Sequence, residues 1–468
     1  MTTARTYTAP IPPLPSHEGR AVALDDILAA RDARVARQQA LLAQGGVLLS
    51  LTLVAPGAVK RSPLLDAIFA AALDALRPHI SDARARLEAV DDGGHHALYL
   101  LDGDARAWKK QVIALENRAP LARLWDIDII DRDGKTISRR DLGLLPRRCL
   151  ICDDDAKSCA RARRHSIGEL QADIARRYRL HQQAQAIAAT MRDALITEAT
   201  LTPKAGLVDA AHNGGHGDMN LALFLTSADA IAPFLGNCAA CGMTFAGHPA
   251  SPAMLAAIRP IGIAAEAAMR AATGGVNTHK GAIFAFGVVA AALGKRLAEA
   301  GRATLADVQA DVRAICAGLL AELHQPGDDS AGKRGYARHG IGGARGEAAS
   351  GYATVSSHAL PAYRQALTAD GNSRRALHLA LVTLYAVNDD STTLARVGLD
   401  GLRAHQHWAR QLLADHATCA DEARLSDAIA AYARDCASRR LSAGGSADLL
   451  ALTAWCGQHF TPNPGTAL

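Results

Sequence analysis

Every strand-like apolar run in this chain falls before residue 131. Val47 to Val54 reads as a strand stopped by Pro56-Gly57. His96 to Leu101 is a second, ended by Asp102-Gly103, and Leu121 to Ile130 is a third, closed by Asp133-Gly134. Between the first two, Leu64, Leu65, Ile68, Phe69, Leu73 and Leu76 recur at the i, i+3, i+4 spacing of an amphipathic helix. Residues 25–43 carry a further helical period. From about residue 168 onward, helical stretches alternate with Gly-rich or polar turns. Alanine is the commonest residue and aromatics are only 4%, so an all-β sandwich or propeller is excluded as an expectation. The pattern predicts two domains: an α/β or α+β domain over residues 21–175, then an all-α domain over 176–468. Residues 1–20, rich in proline, read as a disordered N-terminus.

The net charge is +5, and each part is nearly balanced. There is no basic tail, so nucleic acid is not an expected partner. The most apolar stretch, Ala282 to Leu293, is shorter than the roughly 20 residues a bilayer needs, so no membrane span is expected. The N-terminus lacks the apolar core of a secretory signal. Nine cysteines, an odd number, fit reduced thiols and a cytoplasmic protein.

Asp126-Ile127-Asp128 places two carboxylates at i and i+2 on the third strand. The period of a strand turns both to one face while Ile127 and Ile129 point to the other. Neighbouring carboxylates repel unless a cation lies between them. Mg²⁺ is held by one or two carboxylates together with substrate phosphates, as in phosphoryl and nucleotidyl transfer. The competing reading is a strand end with a solvated acidic face. Arg118, Arg123, Arg139, Arg140, Arg147 and Arg148 flank the pair, and a guanidinium fork suits phosphate. Lys60, after the Pro56-Gly57 turn, is a further candidate phosphate contact. Asp126 and Asp128 are therefore candidate catalytic and metal-binding residues, and Lys60, Arg123, Arg139, Arg147 and Arg148 candidate substrate contacts.

Next along the chain, Cys149, Cys152, Cys159 and His165 form C-x2-C-x6-C-x5-H. The first two have zinc-knuckle spacing, and the four can make a tetrahedral zinc site. The alternative is three small apolar residues at a turn and a helix start. A second CxxC, Cys238 and Cys241, lacks a partner pair.

The strings LARLWDIDIID, SRRDLGLLPRRCLIC and SLTLVAPGAVKRSPLL resemble the holo-citrate lyase synthase family over about residues 22–175. The resemblance implies a nucleotidyltransferase-like domain. It would transfer a phosphoribosyl-dephospho-coenzyme A group to a serine of the citrate lyase acyl carrier (gamma) subunit, with pyrophosphate leaving. Ala55 stands where that family has asparagine.

Beyond residue 200 the polar loops carry the chemistry. Residues 202–219 contain Lys204, Asp209, His212, Asn213, His216 and Asp218, which offer metal ligands or acid–base groups. Residues 273–281 lead into a helix from about 279 to 293 with Thr278 as its expected N-cap. Asn277, Thr278, Lys280 and Gly281 at that helix start suit an anion. Glu266, at i, i+3 and i+7 with Met269 and Thr273, faces that loop. Arg345, Glu347 and Arg396 lie in two further polar segments, and Asp390 suits a helix cap.

TPKAGLVD, NGGHGDM, ATGGVNTHKGAIF and ARGEAASGY resemble the triphosphoribosyl-dephospho-coenzyme A synthase family over roughly residues 178–415. Ala205 replaces a usual proline, and the segment Asp390 to Gly398 departs from that family's pattern. The resemblance implies ATP and dephospho-coenzyme A as substrates, with adenine expelled from the ribose through an oxocarbenium-like transition state. On that reading Asp209 and Asp218, assisted by His212 and His216, hold Mg²⁺. Lys280 and the Thr278–Gly281 helix start hold triphosphate, with Lys204, Asn213, Asn277, Arg345, Glu347 and Arg396 as further substrate contacts. Glu266 is a general base or metal ligand, and His279 a second catalytic residue. Two readings compete: the same chemistry serving malonate decarboxylase, or a zinc-stabilised nucleic-acid-binding helical protein.

Overall fold

The computed structural model describes residues 6–324 and 331–460. Its strands are β1 (Thr6–Tyr7), β2 (Val47–Leu53), β3 (Ala85–Asp91), β4 (Gly94–Leu101), β5 (Trp125–Ile130) and β6 (Ala303–Thr304). The helices before residue 200 are α1 (Leu24–Leu42), α2 (Pro63–Leu76), α3 (Ala105–Asn117), α4 (Ala156–Arg161) and α5 (Ile167–Thr200). Then follow α6 (Leu221–Met243), α7 (Pro252–Ala272), α8 (Lys280–Ala300), α9 (Leu305–Ile315), α10 (Ala331–His339) and α11 (Gly343–Ser350). The last are α12 (Leu360–Asp370), α13 (Ser373–Val387), α14 (Ser391–Ala414), α15 (His416–Ala420), α16 (Glu422–Ser438) and α17 (Gly444–Phe460). The chain forms two compact units, residues 11–182 and residues 1–10 with 183–468. The boundary falls within α5.

In the first unit the strands run in the order β3-β4-β2-β5, and every neighbouring pair is antiparallel. That decides between the two expected classes in favour of α+β. One sheet face buries Leu49, Leu51, Tyr99, Ile127 and Ile129 against Leu64, Leu65, Ile68 and Phe69 of α2. The other buries Leu48, Leu98 and Ile130, with Leu41 and Leu42 of α1 packed on them. β2 is therefore apolar nearly throughout. β5 begins at Trp125 rather than at 121, because residues 121–124 form a 3-10 turn started by Pro120. β3 and α3 were not read from the sequence. β3 is an edge strand whose outward Arg86 and Glu88 mask its apolar alternation.

Among its described residues the second unit is helical apart from the two-residue pair β1–β6 and its loops. α6 and α8 pack backbone to backbone. A Cβ on Gly242 would lie 2.0 Å from the Ala291 carbonyl oxygen, and one on Gly294 would lie 2.1 Å from that of Ala239. Only glycine permits that approach. α6, α7 and α8 are each long and apolar enough to cross a membrane by length and composition, which the shorter run Ala282–Leu293 did not reveal. In α8 that apolar surface goes into the unit's own core, with 78% of the most apolar window buried. The expected disordered N-terminus is also revised over its described residues. Tyr7 pairs with Ala303 and is 1% exposed, packed on Trp455, His459 and Phe460. One aromatic anchor outweighs the Pro-rich composition around it. Residues 1–5 lie outside the described residues.

Candidate functional sites

In the first unit, β5 alternates buried and exposed, so Asp126 and Asp128 leave the sheet on the face opposite Ile127 and Ile129. They stand beside Thr52 and Ser50 of β2, and both side chains are 53% exposed. Desolvation, and after it the neighbouring Asp126 charge, push the Asp128 carboxyl above its ordinary value. Lys109 of α3 is buried below the pair. Its Nζ donates to the Ile127 carbonyl at 2.9 Å and lies 3.8 Å from Asp128. Glu116, one helical face along, accepts from the Ile127 amide at 3.2 Å and pairs with Arg139 at 3.2 Å. Neither Lys109 nor Glu116 was read from the sequence. Their spacing on an amphipathic helix is the signal that was available.

Arg147 bridges to the pair: its Nη1 is 3.2 Å from Asp126, while Nη2 donates to the carbonyls of Arg123 and Trp125 at 2.6 and 2.7 Å. Arg123 donates to the Arg148 carbonyl at 2.8 Å. Its guanidinium is pushed down to about 10, first by burial, then by the charges of Arg147, Arg177 and Arg139. Arg177, from α5, is a further member that sequence reasoning missed. Arg123, Arg139 and Arg148 line a cleft of about 670 Å³ with Asn117, Cys149 and Cys152. Arg148 is exposed and pairs with Asp153 at 2.9 Å. Lys60 lines a different groove, with Arg20 and Asp66, and its ammonium donates to the Ala55 carbonyl at 2.7 Å.

Cys149, Cys152, Cys159 and His165 do come together. Their four potential ligand atoms all lie within 4.8 Å of one another. Cys238 and Cys241 instead sit buried inside α6, where burial raises both thiols, Cys241 to about 11.

The helical unit holds a cavity of about 530 Å³ where the start of α8, the loop after α5, α11 and the starts of α14 and α17 converge. Lys204, His216, Asn277, Thr278, His279, Lys280, Gly281, Glu347 and Arg396 all line it. Lys204 is 1% exposed and its Nζ lies 2.6 Å from Glu198, a residue not singled out from the sequence. His216 contacts Ser442 at 3.0 Å and Arg396 at 3.3 Å. Burial and the Arg396 charge lower its imidazole.

The helix start is built differently from the expectation. α8 begins at Lys280, whose amide donates to Asn277 Oδ1 at 3.3 Å. Thr278 does not cap it. Its hydroxyl donates to Ser227 Oγ at 2.7 Å, and Ser227 Oγ lies 2.8 Å from His279 Nδ1. Ser227 Oγ thus links the threonine hydroxyl to Nδ1 and engages that ring nitrogen. Nε2 is buried without a partner among the described residues. Burial, and after it the Lys204 charge, lower His279 to about 3, so the ring is neutral. Asp448 of α17 accepts from the Ala282 amide. A Cβ on Gly281 would lie 1.8 Å from its Oδ2. Burial, then Glu198 and Asp390, push the Asp448 carboxyl well above its usual range. The Gly444-Gly445-Ser446 turn before it was the available signal.

Glu347 accepts from Thr354 at 2.6 Å through Oε1, while Oε2 is buried without a partner among the described residues, and burial raises its carboxyl. Asp390 caps α14, accepting from the Thr392 and Thr393 amides at 2.8 and 3.1 Å, and also from Ser446.

Several expected site residues lie outside the cavity lining. Asp209 spends its carboxylate on the amides of Lys204, Ala211 and His212 at 2.8, 2.8 and 2.9 Å. His212 sits 3.4 Å from Asp209. Asn213 and Asp218 are exposed. These residues and His216 do not form a metal-ligand cluster; among the described residues the one such group is Cys149–His165. Glu266 pairs with Lys280 at 3.4 Å and Arg270 at 3.5 Å, so the expected approach to the loop is present but the carboxylate is held outside the cavity. Arg345 sits on α11 beside Glu347 without lining the cavity.

The two sites correspond to two families. Residues 22–181 match the apo-citrate lyase phosphoribosyl-dephospho-CoA transferase family (CitX), and residues 184–461 the ATP:dephospho-CoA triphosphoribosyl transferase family (CitG). Protein CitXG of Haemophilus influenzae is 40% identical over 456 residues, covering 94% of this chain and 96% of that protein. The chain belongs to the CitXG family. Another CitXG protein, from Leuconostoc mesenteroides subsp. cremoris, is 31% identical and covers 93% of this chain and 97% of its own length. A 2-(5''-triphosphoribosyl)-3'-dephosphocoenzyme-A synthase of Pectobacterium atrosepticum is 46% identical over 269 residues, 57% of this chain and 86% of that protein. As a CitXG protein, the chain is a bifunctional enzyme of citrate lyase maturation, with a triphosphoribosyl-dephospho-CoA synthase part and a phosphoribosyl-dephospho-CoA transferase part.

Proposed function

We propose that the helical cavity joins the 2′-hydroxyl of dephospho-coenzyme A to the ribose of ATP, and that the arginine cleft loads the product onto the carrier serine. In the first step the bond from the hydroxyl oxygen to the anomeric carbon forms and the bond to adenine breaks. Glu347 is the base that takes the hydroxyl proton: its free, buried Oε2 lines the cavity, and a raised carboxyl pKa suits a base working near neutrality. This role replaces the one expected for Glu266, which is engaged by two cations. His279 as the Nε2–H tautomer donates a hydrogen bond to the departing adenine, and the proton lost by the hydroxyl returns from Glu347 to adenine through solvent. The Thr278–Ser227–His279 chain is the observation that carries this reading, because it engages Nδ1 and leaves Nε2 of a cavity-lining residue for the substrate. Lys280 and Arg396 face the triphosphate, and Lys204 holds Glu198 in place.

In the transferase part, burial and then the charges of Arg147, Arg177 and Arg139 depress Arg123. A pyrophosphate leaving group relieves that repulsion. Asp126 and Asp128 fit Mg²⁺, since the two carboxylates leave one face of β5 at i and i+2, both half-exposed, and burial and then the Asp126 charge raise the Asp128 carboxyl, a cost that a cation would relieve. Bound there, the ion would neutralise charge on the substrate phosphates. In the helical unit the expected ligand set does not converge, and magnesium would enter with the triphosphate instead. On this reading the partner is the acyl carrier subunit of citrate lyase, and the substrates ATP and dephospho-coenzyme A support a cytoplasmic enzyme.

Incubation with ATP and dephospho-coenzyme A, followed by chromatography for free adenine, tests the first step. Glu347→Gln should abolish adenine release and retain fold and substrate binding; release at the unaltered rate rejects the assignment. Asp126→Asn with Asp128→Asn should prevent the mass increase of the carrier supplied with preformed precursor, while adenine release persists. Loss of both activities would argue against separate sites.

A further inference from the structure

The segment from Gly143 to Ser166 holds Arg147 and Arg148 of the transferase cluster, yet its regular structure among these residues is the six-residue helix α4. Leu144, Leu145 and Ile151 are exposed, Leu145 to 77%. Leu150 alone of this loop's leucines and isoleucines packs on the main apolar core, too little to explain how the loop keeps Arg147 on Asp126 and Arg123. What converges inside it is three sulfurs and one imidazole nitrogen.

The backbone is shaped for that convergence. Arg148 bridges Asp155, with the Cys149 amide donating to the Asp154 carbonyl at 2.7 Å and the Ala156 amide to the Arg147 carbonyl at 2.8 Å. The turn so closed points the amides of Ile151 and Cys152 at the Cys149 sulfur. Asp155 then caps α4 through the Ser158 amide at 2.8 Å, and the helix presents Cys159, 3% exposed, one turn in. Cys152 and Cys159 sulfurs are 3.8 Å apart, and His165 Nε2 is 3.3 Å from Cys152 Sγ. For a tetrahedral zinc with bonds of about 2.3 Å to sulfur and about 2.05 Å to nitrogen, the edges are about 3.8 Å and about 3.5 Å. The geometry thus fits an ion-sized centre.

We propose that Cys149, Cys152, Cys159 and His165 bind one structural zinc ion that fixes the cleft loop. Four protein ligands leave no open position, which separates a structural from a catalytic site. The ion's role is positional: Arg147, Arg148 and Leu150 directly flank the knuckle, and the Leu150 carbonyl accepts from Arg177 at 2.7 Å. Zinc therefore ties the arginine cluster to the loop, and its ligands are positioning residues for the transfer step.

The test is elemental analysis of the full chain, purified under reducing conditions after growth with zinc. About one zinc per chain is expected, with loss in Cys159→Ser and in His165→Ala and retention in Cys238→Ala. Cobalt(II) added to the reduced, metal-stripped wild-type chain should give the thiolate charge-transfer and intense d–d absorption of tetrahedral cobalt, displaced by zinc. That arm does not depend on any variant folding. Substoichiometric zinc together with no cobalt–thiolate absorption overturns the proposal. So does a Cys152–Cys159 disulfide found in the freshly isolated chain by mass spectrometry, or equal zinc loss in Cys238→Ala.

Discussion

Replacing Lys204 by methionine probes the interior of the helical unit most directly. The Lys204 ammonium is 2.6 Å from Glu198 Oε1 and donates to the Glu198 carbonyl at 2.7 Å. The two side chains are 1% and 5% exposed. Methionine fills nearly the same volume, so packing changes little, but Glu198 is left buried without its partner. Breaking a buried pair in this way costs about 3–5 kcal/mol. The helical unit has about 300 residues, and an unfolding entropy of about 2.1 cal/mol/K per residue gives about 0.6 kcal/mol/K. The expected fall in Tm of the corresponding transition is therefore roughly 5–8 °C. The double variant Glu198→Leu/Lys204→Met removes both charges and should recover at least half of that loss, because an apolar pair avoids the desolvation of either ion. Differential scanning calorimetry of the full chain measures all of these. A single-variant shift below about 1 °C, or a double variant no better than the single one, would refute the reasoning.

Gly281→Ala should displace the Asp448 carboxylate, since the added Cβ would lie 1.8 Å from Oδ2; the expected loss is about 1–3 kcal/mol of stability, with calorimetric binding of dephospho-coenzyme A weakened, and unaltered binding would contradict it. His279 is held neutral with a pKa of about 3, below its unfolded value of 6.5, so its contribution to stability is full above pH 6.5 and falls as pH drops from there toward 3. His279→Asn lacks that dependence; its destabilisation relative to wild type should shrink below pH 6.5 by up to about 1.4 kcal/mol per pH unit, and a constant difference in urea melts from pH 7 to 5 would sink the idea. Deleting residues 1–10 removes buried Tyr7 from Trp455 and Phe460 and should cost the helical unit about 3 kcal/mol, seen as a lower urea midpoint; an unchanged midpoint would mean that the strand pair β1–β6 is incidental.

The local order of the chain was legible because it depends on near neighbours. The Leu64–Leu76 periodicity is α2, extended by Pro63 at its first turn and capped by Ser62. The alternation around Asp126 is β5, and both carboxylates leave by one face as a strand requires. Asp390 caps α14. The polar loops at 202–219 and 273–281 do contribute to one cavity. What failed was the assignment of individual side chains inside those loops. Thr278 is as good a cap by type as Asn277, but Ser227, 51 residues away in sequence, takes its hydroxyl. Asp209 has a metal ligand's chemistry, yet three backbone amides reach it first.

Sequence alone determined the secondary structure type of most segments, the confinement of the larger sheet to the first part and the families to which both parts belong. These rest on period, turn chemistry and contiguous motifs, all properties of short stretches. Tertiary structure decided the antiparallel strand order, the burial of Lys204 with Glu198, the entry of Asp448 beneath Gly281 and the meeting of Cys149 with His165. Those depend on which distant segments share the interior. There, loss of water makes every polar group seek whichever partner the packing brings nearest.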